Sequence, residues 1–230
     1  VSNLLNVSSS PHVRAKDDTS RIMLYVILAL LPTTIFGVIN FGLRALLLVV
    51  VCIITCVLSE FLFEKAVKKK STIGDLSAVV TGLLLALNLP HTLPVWQAVL
   101  GSVFAIVVVK MLFGGLGQNF MNPALGGRAF LLISFAATMT NFEFDGVASS
   151  TPLALLKNGE TVNTLDMLIG RTGGTIGETS ALCVLLGAII LILLGVIDLV
   201  IPGVYIVSFA VFIILFCGHG FDRSEERRVG

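Results

Sequence analysis

The chain has 230 residues, formal net charge +1, 56% hydrophobic residues, 13% charged ones and a mean hydropathy of +1.00. A soluble domain carries about 25% charged residues, so a water-soluble globule is excluded. With no basic excess a nucleic-acid partner is excluded, and with no acidic tract so is a disordered acidic tail.

Several apolar blocks reach the roughly 20 residues that a bilayer-spanning helix needs. Residues 22–39 and 180–197 keep almost none of the polar face that a helix in a soluble bundle shows. The expected class is an all-α, polytopic membrane helical bundle, with the lipid bilayer as its surroundings.

Residues 1–21 read as a polar leader with Arg14, Lys16 and Arg21. The first span is expected at about 22–40, with Pro32 inside it, and the second at about 45–63, after a turn at Phe41–Arg44. A lysine loop follows, holding Lys65, Lys68, Lys69 and Lys70. The third block, LSAVVTGLLLALNLP, stops at Pro90 and is too short for a comfortable span. Blocks of that length suit broken or re-entrant helices lining a protein-enclosed site. A fourth span is expected at about 95–113. The stretch GGLGQNFMNPALGGRAF, residues 114–130, then reads as a loop entering a short fifth span at about 124–139. Pro123 suits the first turn of that helix.

A polar segment, 140–179, separates these blocks from a sixth span at about 180–197 and a seventh at about 199–217. Five regions result: a leader 1–21, five apolar blocks over 22–139, the segment 140–179, two further apolar blocks over 180–217, and a charged end 218–230. That end reads either as a solvated tail or as sequence foreign to the protein. Lys and Arg counted over the short loops favour a cytoplasmic leader and an extracytoplasmic 140–179 segment; Lys110 and Arg128 enter that count on the cytoplasmic side. Glu60 and Glu64 lie near the lysine loop, so a solvated or snorkelling reading is preferred for them over an ion relay. Cys52 and Cys56, four apart on one helix face, read as small apolar fillers, since no further Cys or His stands nearby to complete a metal site.

Within the polar segment, DGVASSTPLALL (145–156) places Ser149, Ser150 and Thr151 in a row among small neighbours. No His, Cys or Lys beside them can act as a base, so a hydrolytic nucleophile is unsupported. On chemistry alone the stretch is an ordinary hydroxyl-rich turn or an acceptor for a modifying enzyme, with Asp145 able to bind a metal or orient that enzyme. Downstream, the backbone amides of GGTIG, with Gly173, Gly174 and Gly177, are expected at the start of the sixth helix, where they can hold an anion. Arg171 can add a cation or remain a solvated loop residue, and Arg128 can add one only if the fold brings it to the same side, which the charge count does not favour. Glu178 reads as a helix-start acid.

Taken in order, SPHVRAKDDTSRIM, DLSAVVTGLLLALNLP, KMLFGGLGQNFMNPALGGRAF, DGVASSTPLALL and GGTIGETSALCVLLGA resemble the NqrB/RnfD family. Its members belong to the Rnf electron-transport complex and to the homologous sodium-pumping NADH:quinone reductase. The resemblance covers residue 10 to about 217. It implies FMN attached through its phosphate to a threonine, here Thr151, by a dedicated flavin transferase, with Asp145 as the acid of a D-x-x-[ST]-G-A-T type motif. This sequence departs from that motif at Ala148, Ser149 and Ser150. The resemblance further implies other Rnf subunits as partners, a non-covalent riboflavin, and a fold like the inverted repeats of urea and ammonium transporters, with 22–139 as the first five-helix repeat and 180–217 as the start of the second. It also implies further C-terminal helices beyond this chain, and a role in coupling ferredoxin:NAD⁺ oxidoreduction to Na⁺ or H⁺ movement. A channel or permease of the urea-transporter type, without a redox cofactor, is the competing reading.

Overall fold

The computed structural model describes residues 18–68, 71–144, 147–148, 155, 164–170, 172–178 and 180–216. Its described part is helical apart from one short hairpin, as a membrane helical bundle requires. Helix α1 (Thr19–Phe41) opens with Asp18, whose carboxylate accepts from the Thr19 amide at 2.8 Å. It ends at Gly42, whose φ of 73° lets the chain reverse at once into α2 (Leu43–Val67). These two helices are long and apolar enough to cross a membrane, with mean hydropathies of 2.4 and 2.8. Ile35, Ile39, Leu43, Ile54, Leu58 and Leu62 stay exposed along them, as lipid-facing side chains do.

A 3-10 turn (Ile73–Asp75) leads into α3 (Ser77–Leu87). Asp75 Oδ1 accepts from the Ser77 amide at 2.8 Å, just ahead of the first turn of α3. This helix has 11 residues, the broken-helix length read from the sequence. Helix α4 (Val95–Val103) continues without a break as a π-helical stretch (Phe104–Met111), in which the Leu112 amide donates to the Val107 carbonyl. Helix α5 (Pro123–Ser134) starts at Asn122, which accepts from the Ala124 amide at 2.9 Å, with Pro123 in the first turn. The expected fifth span is interrupted at Phe135, and α6 (Ala136–Met139) is a separate turn. Strands β1 (Glu143–Phe144) and β2 (Val147–Ala148) pair antiparallel. A short α7 (Thr164–Ile169) precedes α8 (Ala181–Leu193). Except for α1 and α2, the apolar helices have 10–17 residues, counting α4 with its π stretch as one.

The core of the unit spanning residues 1–188 gathers Leu48, Cys52, Leu85, Leu89, Leu131 and Ile176. Cys52 and Cys56 are both fully buried, as expected of small fillers. Helices α2 and α3 meet at Gly82, where a Cβ would lie 2.8 Å from Ile53 Cα and 2.9 Å from the Cys52 carbonyl oxygen. Gly127 on α5 faces the Gly101 carbonyl in the same way, at 2.9 Å. Small residues thus let these helix backbones approach closely. Because the atoms opposite Gly82 are backbone, Gly82→Val should cost about 1–3 kcal/mol through overpacking, read as a lowered melting temperature in detergent. A parent-like melt would show that α2 and α3 separate freely.

A second unit spans residues 189–230. Its described part is the end of α8, a turn with Gly195 at a φ of 68°, and α9 (Val200–Phe216).

Candidate functional site

Of the residues singled out in the sequence, Asp145, Thr151 and Arg171 lie outside the described residues, while Gly173, Gly174 and Gly177 lie within them. The glycine-rich stretch is not the first turn of a helix, because α8 begins at Ala181. It runs as bends and a turn against the end of α3 instead. The Ile176 amide donates to the Leu89 carbonyl at 3.1 Å, and the Gly177 amide to the Leu87 carbonyl at 2.8 Å. The Gly177 amide is therefore a docking bond rather than an open donor. The glycines explain the fit: a Cβ on Gly177 would lie 2.8 Å from Leu87 Cβ, and one on Gly37 of α1 would lie 2.5 Å from the Ile176 carbonyl oxygen.

Both flanks of the hydroxyl loop are tied to this end of the unit. Ahead of it, the Asn141 carbonyl accepts from Thr92 Oγ1 at 2.8 Å, and Arg44 Nη2 donates to the Thr92 carbonyl at 3.0 Å. Behind it, the Gly170 carbonyl accepts from Asn40 Nδ2 at 3.0 Å. The turn at Phe41–Arg44, the linker after α3 and the flanks of the hydroxyl loop therefore share one end. The opposite end is marked by Ser20 Oγ donating to the Gly74 carbonyl at 3.0 Å.

Two groups at the first end can meet an anionic ligand. The buried Thr175 hydroxyl, 1% exposed, has no hydrogen-bond partner among the described residues. Arg128, on α5, donates from Nη1 to Asn88 Oδ1 at 2.8 Å and stands 3.7 Å from Glu178. Charge counting puts Arg128 on the cytoplasmic side, away from GGTIGE. The structure places it against that segment, through its contacts with Asn88 and Glu178. Glu178, expected as a helix-start acid, is this arginine's neighbour instead.

The solvated reading of Glu60 and Glu64 is overturned. Glu60 is fully buried and Glu64 is 3% exposed. Lys110, 1% exposed, reaches across from the π-helical stretch, and its Nζ lies 2.9 and 2.8 Å from the two Glu60 oxygens and 2.6 Å from Ser77 Oγ. Thr72 bridges the two acids, donating from its amide to Glu64 Oε1 at 2.8 Å and contacting Glu60 Oε1 through Oγ1 at 2.9 Å. Ser77 passes the chain of contacts on to Asp75. Glu64 Oε2 is buried without a hydrogen-bond partner among the described residues. Lys110 is therefore not a loop charge, and it drops out of the orientation count. Charges inside a membrane domain are costly and by default mark function, and π-helical turns are frequent at functional sites. No group of three or more His, Cys, Asp or Glu that could hold a metal ion occurs among the described residues.

Comparison with known proteins extends these observations. The family model described as "NQR2, RnfD, RnfE family" matches residues 6–227. The chain is 52% identical over 220 residues to the D subunit of the Na(+)-translocating ferredoxin:NAD(+) oxidoreductase complex of Acetobacterium woodii, covering 92% of this chain and 69% of that protein. It is 40% identical over 233 residues to the D subunit of the proton-translocating ferredoxin:NAD(+) oxidoreductase complex of Clostridium ljungdahlii, covering 94% and 70%. It is 34% identical over 236 residues to the D subunit of the ion-translocating oxidoreductase complex of Rhodobacter capsulatus, covering 84% and 65%.

Proposed function

The chain belongs to the NQR2, RnfD, RnfE family, and from that premise we propose that it is the membrane-embedded flavoprotein subunit of an ion-translocating ferredoxin:NAD⁺ oxidoreductase complex. Electrons pass through FMN held on Thr151, and the remaining subunits of the complex supply and remove them. One observation carries the reading beyond the family: Asn141 and Gly170, on either side of Thr151, are anchored to the same end of the helical unit that offers Arg128 and the Thr175 hydroxyl. An anion fits that donor set. When bound, FMN supplies the electron chemistry, while the chain fixes its place and surroundings. The hydroxyl loop faces the extracytoplasmic side, the leader the cytoplasm. At the other end, the Glu60–Lys110–Ser77 network with Glu64 handles the coupling ion. The redox group and the ionisable network thus sit at opposite ends of one short-helix scaffold.

Attachment is tested by expressing the chain with a flavin transferase and reading in-gel flavin fluorescence after denaturation. The parent should fluoresce and Thr151→Val should lose the signal entirely. Fluorescence surviving in Thr151→Val would place the flavin elsewhere. A parent chain without fluorescence would favour a channel or permease, which has no use for Thr151.

A further inference from the structure

We infer that Glu64 is the ion-carrying group of the buried network: it holds one exchangeable positive charge, a proton or a monovalent metal cation, while the Glu60–Lys110 pair beside it stays closed. The inference rests on the reading that this network handles the coupling ion, and it names the residue that does so.

Three observations set Glu64 apart from its neighbours. The first is charge balance. Glu60, Glu64 and Lys110 are all buried, so two carboxylates share one ammonium. An ammonium has three N–H donors, and Lys110 directs them at the two Glu60 oxygens and at Ser77 Oγ. Glu60 and Lys110 thus neutralise each other, and Glu64 is the charge left over. The second is an open oxygen. Glu64 is 3% exposed, and its Oε2 has no hydrogen-bond partner among the described residues. A buried carboxylate in that state is costly unless positive charge meets it. The third is a proton too few. Thr72 Oγ1 lies within reach of both Glu60 Oε1, at 2.9 Å, and Glu64 Oε1. Its single hydroxyl proton cannot serve two carboxylates. A proton on Glu64 completes the row: Glu64 donates to Thr72 Oγ1, and Thr72 donates to Glu60. A monovalent cation removes the same deficit by lying among acceptor oxygens.

Position allows the charge to exchange. Glu64 is in the last turn of α2, where the negative end of the helix dipole favours a cation. Residues 65–68 beyond it are exposed. So is Thr72, which covers the acid and donates from its amide to Glu64 Oε1 at 2.8 Å. Exchange with the solution therefore passes Thr72. The other charged groups on the elements meeting here leave Glu64 open. Lys65 and Lys68 of α2 are exposed, and Asp75 of the 3-10 turn accepts from the Ser77 amide and hydroxyl.

The test uses the full chain, purified in detergent at neutral pH and treated with a hydrophobic carbodiimide, which adds to protonated carboxyl groups in apolar surroundings. Adducts are mapped by mass spectrometry in choline chloride and in sodium chloride of equal strength. Glu64 should be labelled and Glu60, closed by Lys110, should not. Sodium that competes for the site slows the adduct by the factor 1 + [Na⁺]/Kd, about tenfold at roughly ten times Kd, and assigns a monovalent cation. Labelling of Glu64 that ignores sodium assigns the proton alone. Glu64→Gln stands in for the neutral acid, so its melting in choline chloride should match the parent's, and any rise with sodium should vanish. Labelling of Glu60 as fast as Glu64, or faster, overturns the inference and leaves the network an ion site. Where the reagent reaches neither acid, the parent's melting decides. A rise with sodium that Glu64→Gln abolishes supports the inference, and a rise that survives Glu64→Gln overturns it alone. No adduct and no rise overturn the ion reading of the network as well.

Discussion

Lys110→Met is expected to destabilise the protein by about 3–5 kcal/mol, the loss seen when one partner of a buried ion pair is removed. The reason lies in what remains. Glu60 is fully buried and now holds both oxygens against the Lys110 ammonium. Without it the carboxylate keeps the Thr72 hydroxyl at 2.9 Å and no cation. A charge so placed must take up a proton or open the structure to water, and both are costly. The damage spreads, because the same ammonium also holds Ser77 at the start of α3. Glu60→Gln/Lys110→Met removes both charges and should recover most of the loss, since a buried pair replaced as a pair is often neutral. Thermal unfolding in detergent checks this: a drop of about 10 °C or more for the single variant, and a much smaller one for the double. A single variant melting like the parent would mean that the network is hydrated and does not depend on the pair.

That network shows where the sequence is legible and where it is not. The helices are legible because each is bounded by local chemistry: Gly42 between α1 and α2, Pro90 after α3, and Asn122–Pro123 before α5. The short α3 is readable from its own length. What local pattern does not carry is the partner across the bundle. Lys110 and Glu60 are 50 positions apart, and each sits close enough to an expected span end to pass for an interface charge. The available signal is the run around each: LSEFLF and VVVKML leave a lone charge amid apolar neighbours, the setting in which an ionisable residue is functional by default. The π-helical stretch has no such local mark, and it is the stretch that carries Lys110. Arg128 escapes for a related reason. The expected fifth span already includes Arg128, and what no local pattern tells is that it meets Asn88 and Glu178, 40 and 50 positions away.

Gly37→Val should detach the 172–178 segment from α1 and α3 while leaving those helices folded. A Cβ at position 37 would lie 2.5 Å from the Ile176 carbonyl oxygen and 2.8 Å from Ile176 Cγ2. The side-chain atom can turn away, but the carbonyl can move only if its peptide moves. The displaced peptide takes with it the Ile176–Leu89 and Gly177–Leu87 hydrogen bonds, each worth about 1 kcal/mol, on top of about 1–3 kcal/mol of overpacking. The loss falls on the segment, because Gly37 meets Ile176 rather than another helix. Thr175→Cys supplies the readout: position 175 is 1% exposed, so a water-soluble maleimide should label it slowly in the parent background and much faster beside Gly37→Val. Gly177→Val attacks the same joint from the other partner, through Leu87 Cβ at 2.8 Å and the Leu87 carbonyl oxygen at 3.0 Å, and should give the same result. Slow labelling at position 175 in both backgrounds would mean that the segment is held by contacts other than these two glycines permit, and the docking account would fall.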